Sequence, residues 1–338
     1  VPGQATHTVH FFEHYSYFAP SVHEQVSRDK RARSMITRYE IINNRVTASE
    51  NADAPIIVMV DPDEAERKLL VEQLKVDEHT LASALDPDEL PRLEFEPDHI
   101  AIIFKRPKNY SGRHQLLFKV ASTGLFLFKD RIYIVLDQEI TLFDGKVFQR
   151  VQSLTDLALK LVSRSIYHYL EHLKIITLIS DELEKKINQS MENKYLINLF
   201  TLEKSLVYYL NSISANGVLI GRLKINAAKL GLSQEAQEFL DDMNIENNQC
   251  FRMAEIHSNI LASLMDARAS IVGNNLNVLM KTLNLITIGI MVPTFVVSAF
   301  SMNVGIPLQG HPYAFEIIMA LAVVSVIITA TIWKRKKW

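Results

Sequence analysis

Cysteine is almost absent from the chain. Cys250 is the only one in 338 residues, which excludes an intramolecular disulfide and fits a reducing compartment. Glycine-rich phosphate loops are missing as well: neither GxGxxG nor GxxxxGK[ST] occurs, so no nucleotide fold is indicated. No nucleophile–base pair and no zinc-ligand spacing stands out, and we expect no enzyme. Lys and Arg total 36 against 38 Asp and Glu, and no nucleic-acid partner is expected. The opening VPGQATHTVHFFEHYSYF lacks a basic start and a sustained apolar core, so no cleavable signal is expected in it.

Charge disappears near the end. From Leu283 to Phe300, LNLITIGIMVPTFVVSAF, eighteen residues carry none. At about 1.5 Å each they approach the ~30 Å hydrocarbon core of a bilayer. A second apolar run, Ile317 to Trp333, reaches spanning length with Ala314 and Phe315 and stops at Lys334-Arg335-Lys336-Lys337. The chain therefore reads as crossing a membrane twice. Four cations after the second span place the C-terminus in the cytoplasm, and two crossings return the N-terminus there. A cell-membrane, multi-pass protein is expected.

What precedes the spans is charged. Residues 1–151 read as an α/β domain, with strand-like runs at Ile36–Ile42, Ile56–Val60, His99–Phe104, Leu116–Ala121, Leu125–Phe128 and Ile132–Leu136. Gly124 and Lys129-Asp130 punctuate the last three as an antiparallel meander. Helices are expected at Asp63–Leu74, started by Asp61-Pro62, and at Glu78–Leu85. Between Asp61 and Asp98, carboxylates far outnumber Arg67, Lys68, Lys75 and Arg92. This is either a solvated acidic face or a field for divalent cations. His7, His10 and His14 share a spacing that would suit a metal on one helical face, although their segment has no strong helical pattern.

After Gln152 the apolar period becomes 3.6. Residues 152–232 read as a helical hairpin, its first helix capped by Ser153 and its second running from Asn193 to Lys229. Ser233 caps a third helix, whose cytosolic part, 233–281, continues into the first span, 282–303. Roughly 65 residues of helix amount to about 100 Å, and most of that length needs other helices as partners. An external loop, 304–313, the second span, 314–333, and a basic tail, 334–338, complete the chain.

Polar residues run through the first span. Asn277, Met280, Asn284, Thr287, Met291, Thr294, Ser298 and Ser301 step by three and four alternately. At 100° per residue they stay on one stripe of about 120°, drifting in the sense of a left-handed supercoil. Small polar groups can simply join membrane helices. That role needs one or two of them, whereas an aqueous path on the axis of an oligomer accounts for the whole row. The stripe has no formal charge, which suits a cation handled through its water shell.

In this order of parts the chain resembles the CorA family of magnesium channels. The most specific stretch is Asn274 to Asn303, NNLNVLMKTLNLITIGIMVPTFVVSAFSMN, with the closing KRKKW. The resemblance implies an α+β cytosolic domain followed by long helices and two transmembrane helices, assembled as a funnel-shaped homopentamer in the lipid bilayer. It implies Mg²⁺ as both transported and regulatory ion, and a pore lined by Asn277, Met280, Met291, Thr294, Ser298 and Asn303. Met280 and Met291 would form the apolar constriction. The same architecture could instead select Co²⁺, Ni²⁺ or Zn²⁺, and a non-conducting sensor or scaffold is the alternative of another class.

Three positions depart from the family pattern. Its Gly-Met-Asn motif is here Ser301-Met302-Asn303, and serine is strained at a helix end if the backbone turns left-handed there. The loop Val304 to Phe315 has no acidic residue. The family's inhibitory Mg²⁺ site pairs a stalk aspartate, matched by Asp242 with Asp241 beside it, with an acid in the neighbouring α/β domain. Ser83 stands at that second position, with Asp86, Asp88 and Glu89 close enough in sequence to replace it.

Overall fold

A computed structural model of the chain describes residues 35–108, 116–189, 193–302, 304, 305, 307 and 310–336. His7, His10, His14 and Asn303 lie outside the described residues. The chain forms two compact units, one reaching to Ser263 and one starting at Leu264.

In the first unit the β-branched runs become strands: β1 (Met35–Ile42), β2 (Arg45–Ala48), β3 (Ile56–Val60), β4 (Arg92–Phe95), β5 (Ile100–Pro107), β6 (Val120–Leu127) and β7 (Ile132–Leu136). They make one sheet in the order β2-β1-β3-β7-β6-β5-β4. Neighbours are antiparallel except β3 and β7, which run parallel with Ile56 opposite Ile132. The central strands are apolar without alternation because both faces are covered. On one face Ile57, Met59, Ile103, Phe126 and Val135 pack with Leu70, Leu81 and Ala84. The last three come from α1 (Glu64–Lys68, continued by a π turn at Leu69–Gln73) and α2 (Glu78–Leu85). Against the other face lie α3 (Leu154–Gln189) and α4 (Asn193–Ile225).

Several expectations change. The runs at 116–121 and 125–128 are not two strands: β6 passes unbroken through Gly124. A Cβ at that glycine would stand 2.5 Å from the Ala84 Cβ, so its role is to admit α2 rather than to turn the chain. β2 and β4 were not expected, because short charged edge strands carry no apolar alternation. α1 starts later than Asp61-Pro62, with Asp63 and Glu66 forming a reciprocal capping box. α4 ends at Ile225 and not at Lys229, and turns lead to Gly231 at φ +62°.

β4 pairs only with Ile100–Ile103 of β5, which leaves the next residues of β5 without a strand partner on that side. At Lys105 the Asn216 side chain of α4 takes this place. Its Oδ1 accepts from the Lys105 N–H at 2.9 Å, and its Nδ2 donates to the Lys105 carbonyl at 2.8 Å. Asn216 is fully buried. Asn216→Leu leaves both backbone groups unsatisfied, an expected loss of about 2–6 kcal/mol. Thermal unfolding of the variant measures it, and an unchanged midpoint would contradict the assignment.

α3 and α4 enclose a titratable cluster. His172 Nδ1 and the Tyr209 hydroxyl share a hydrogen bond of 2.6 Å, and the His168 and His172 rings are 4.5 Å apart. Burial, reinforced by the charges of His172, Arg164 and Arg106, pulls His168 down to about 3; burial, then Arg164, pulls His172 down to about 4. Both are neutral in the folded state where unfolded histidine, near 6.5, begins to bind protons. Their stabilisation is complete above about pH 6.5 and is lost as the pH falls toward 4. We expect the unfolding midpoint to drop across that window, and His168→Gln to make the drop shallower. Equal slopes would contradict this.

Ser233 caps α5 (Gln234–Phe300), accepting from the Ala236 N–H at 3.2 Å. Leu240, Met243, Asn247, Cys250, Ala254 and Leu261 are its buried positions. That helical spacing makes Cys250 a packing residue, and burial, reinforced by Glu246, pushes its thiol up to about 12. The second unit holds the rest of α5 and α6 (Ala314–Lys336), and both helices are long and apolar enough to cross a membrane.

Candidate functional site

The second half of α5 has two different faces. Leu285, Val292, Val296 and Ala299 are partly covered and recur at helical spacing on one side. Asn277, Met280, Asn284, Thr287, Met291, Thr294 and Ser298 are all exposed, Met280 at 51% and Met291 at 63%. At 100° per residue the centre of this row lies well over a right angle from the covered side. On α6 the partly or fully covered residues include Ala314, Ala322, Ser325 and Thr329, small side chains that let helices approach.

The two threonine hydroxyls of the row are already used as donors. Thr287 donates to the Leu283 carbonyl at 2.9 Å and Thr294 to the Ile290 carbonyl at 2.7 Å. With the proton turned back onto the helix, each oxygen presents its lone pairs outward as acceptors. Pro293 lacks the N–H that would meet the Gly289 carbonyl, so one helix bond is missing beside this row.

Ser301 closes α5 without strain. It is not among the described residues with positive φ. Its N–H and its hydroxyl both donate to the Ser298 carbonyl, at 3.1 and 2.9 Å. The glycine's conformational freedom is therefore not required at this position, and the strain considered for serine does not arise. Met302 is exposed.

A groove of about 390 Å³ lies between the two helices of this unit, lined by Lys281, Asn284, Leu285 and Ile288 of α5 and by Thr329, Ile332 and Trp333 of α6. Asn284 thus sits at the edge of the polar row and also borders this groove. Periodicity alone did not single out the groove, although the pairing of a lysine and a tryptophan at the same end of two apolar runs was its visible sign.

The acidic segment is mostly engaged locally. Asp63 and Asp77 cap helices, Glu64 pairs with Lys68, and Arg92 pairs with Glu89 and Glu94. Ser83 is 2% exposed and donates its hydroxyl to the His79 carbonyl at 2.9 Å. The Asp88 N–H donates to Asp86 Oδ1 at 2.8 Å. Beneath this loop the Lys105 Nζ donates to the carbonyls of Asp86 (3.3 Å) and Pro87 (2.8 Å) and to Ser122 Oγ (2.8 Å). Burial pulls the Lys105 ammonium down to about 8, against the opposing charges of Asp86, Asp88 and Glu89. Sequence reasoning missed this tethered cation, because a lone lysine in an apolar strand carries no motif. On α5, Asp241 is ion-paired with Lys224, and Asp242 is exposed. Among the described residues no group of three or more His, Cys, Asp or Glu is placed to hold a metal.

The family model of the CorA-like Mg²⁺ transporter proteins matches residues 53–335. The chain belongs to that family. The cobalt/magnesium transport protein CorA of Methanocaldococcus jannaschii is 25% identical over 293 residues, 82% of this chain and 89% of that protein. The complete structure of the CorA magnesium transporter from the same organism superposes with a TM-score of 0.75 at 22% identity, covering 91% of this chain and 99% of that one. The full-length CmaX protein gives 0.67 at 14% identity, over 92% and 100%. The last two likenesses are likenesses of fold. The CorA-like match begins at residue 53, after β1 and β2, and takes in the acidic segment, the polar row and both apolar helices.

Proposed function

We propose that the chain is the subunit of a homopentameric, Mg²⁺-conducting channel in the cell membrane, with both termini in the cytoplasm. The observation that carries this reading is the uncharged polar row gathered on one side of α5, exposed like most of the helix in this unit, while Leu285, Val292, Val296 and Ala299 on another side are partly covered. In hydrocarbon an exposed row of hydroxyls and amides is costly. Copies of the chain arranged around a common axis would turn it toward water.

Asn277, Met280, Asn284, Thr287, Met291, Thr294 and Ser298 line the path in this reading, and Ser301, Met302 and Asn303 form its outer mouth. The threonine oxygens accept from the water shell of the ion, which Mg²⁺ gives up reluctantly. Met280 and Met291 make apolar rings at which dewetting can gate. An inside-negative potential drives entry, contributing about 2.3 kcal/mol per charge per 100 mV.

Regulation is assigned to Asp241 and Asp242 on α5 together with Asp86, Asp88 and Glu89 of a neighbouring copy. A cation bridging them favours the symmetric closed state by mass action. In this reading the bridge is made between two copies of the chain.

Reconstitution in liposomes tests the ion. Mg²⁺ uptake exceeding that of Co²⁺, Ni²⁺ and Zn²⁺ at equal concentration is the expected result. Preference for one of the other three keeps the architecture and changes the substrate, because neutral oxygens alone do not fix the ion.

A further inference from the structure

The groove between α5 and α6 has the chemistry of a lipid. Leu285, Ile288 and Ile332 give it an apolar wall, and Lys281 places a cation at its rim. No acidic side chain lines it, and Lys334 and Arg335 follow Trp333 in the last turn of α6. Its volume of about 390 Å³ falls in the usual range of small-molecule sites. Thr329 donates its hydroxyl to the Ser325 carbonyl at 2.8 Å, so it offers the groove only an acceptor. Asn284 supplies amide donors.

We propose that this groove is a binding site for one anionic phospholipid, with an acyl chain against Leu285, Ile288 and Ile332 and the phosphate at Lys281. Charge complementarity selects the occupant. A zwitterionic lipid fills the apolar wall equally well, but its choline meets the cations at the rim. Asn284 donates to a glycerol-ester oxygen, which links the lipid to a residue of the polar row. Trp333 stands at the headgroup level, where indole rings settle. The inference rests on reading α5 and α6 as membrane spans, and it places no demand on which ion is conducted.

The chain has two tryptophans, Trp333 and Trp338, so Trp338→Phe leaves Trp333 as the single tryptophan, read by excitation at the red edge where tyrosine does not absorb. The protein in this background is reconstituted in phosphatidylcholine vesicles containing graded amounts of phosphatidylglycerol or phosphatidylcholine with brominated chains. Saturable quenching of Trp333 is expected at about fivefold lower mole fraction of the brominated phosphatidylglycerol. Lys281→Gln, with the basic tail intact, removes that preference, and Lys281→Arg keeps it. Equal quenching by the two lipids overturns the proposal. So does a preference that survives Lys281→Gln, which would assign it to the tail. Quenching by neither lipid while Mg²⁺ uptake persists would mean that another copy covers the groove; it would overturn the lipid site and leave the channel standing.

Discussion

Replacing Asn303 by alanine is expected to abolish Mg²⁺ uptake while leaving the oligomer assembled. In a homopentamer, five amides would meet the hydrated ion at the mouth. A net hydrogen bond is worth about 0.5–1.5 kcal/mol. Losing five of them raises the barrier by several kcal/mol, and flux falls about a hundredfold or more. In the proposed channel assembly would rest on other surfaces, so size-exclusion chromatography should show the same species as the wild type. Wild-type flux in Asn303→Ala would remove that residue from the mouth. Ser301→Gly is expected to change little, because Ser301 does not occupy the left-handed backbone region that makes glycine necessary.

The second large effect is expected in regulation, at Asp242. Asp241 already faces the Lys224 ammonium, which offsets much of its charge, whereas Asp242 is exposed and makes no ion pair among the described residues. A charge-assisted contact contributes about 1.5–3 kcal/mol. Asp242→Asn should therefore raise the cytosolic Mg²⁺ concentration needed for half-inhibition by about tenfold or more, and Asp241→Asn by less. Flux measured against internal Mg²⁺ decides it. Unchanged sensitivity in both variants would take these aspartates out of the gate and leave the loop at Asp86, Asp88 and Glu89 without its partner.

Much of this arrangement is legible in the residues because it depends on local chemistry. Ile56–Val60, Glu78–Leu85 and the start of α5 at Gln234 follow from apolar runs, an aspartate cap and a serine cap. The polar row follows from spacing alone, since any helix placing Thr287, Thr294 and Ser298 at steps of four and seven gathers them on one face. What escaped reading depends on contacts distant in sequence. Gly124 looked like a turn because nothing near it in the chain reveals that Ala84 approaches within van der Waals distance. Asn216 carries no sign of its role in the sequence around it, and it completes a strand more than a hundred positions away. Lys105 likewise gains its role from the loop at Asp86 and Pro87 folding over it. At Ser83, where the resemblance implies a carboxylate, the fold adds that the side chain is buried and bonded to the His79 carbonyl.

The central claim is that the polar face of α5 conducts, and voltage-driven Mg²⁺ influx into liposomes tests it most directly. The purified wild type is compared with the triple variant Thr287→Val, Thr294→Val, Ser298→Ala, which keeps the shape of the row and removes three of its oxygens. Ser325→Ala on α6, whose hydroxyl is turned to the Ala322 carbonyl, serves as the control. The account predicts saturable influx that grows with inside-negative potential in the wild type and control, and a loss of at least about tenfold in the triple variant. An assembled wild type that passes no ion, or a triple variant that conducts as well as the wild type, would contradict it.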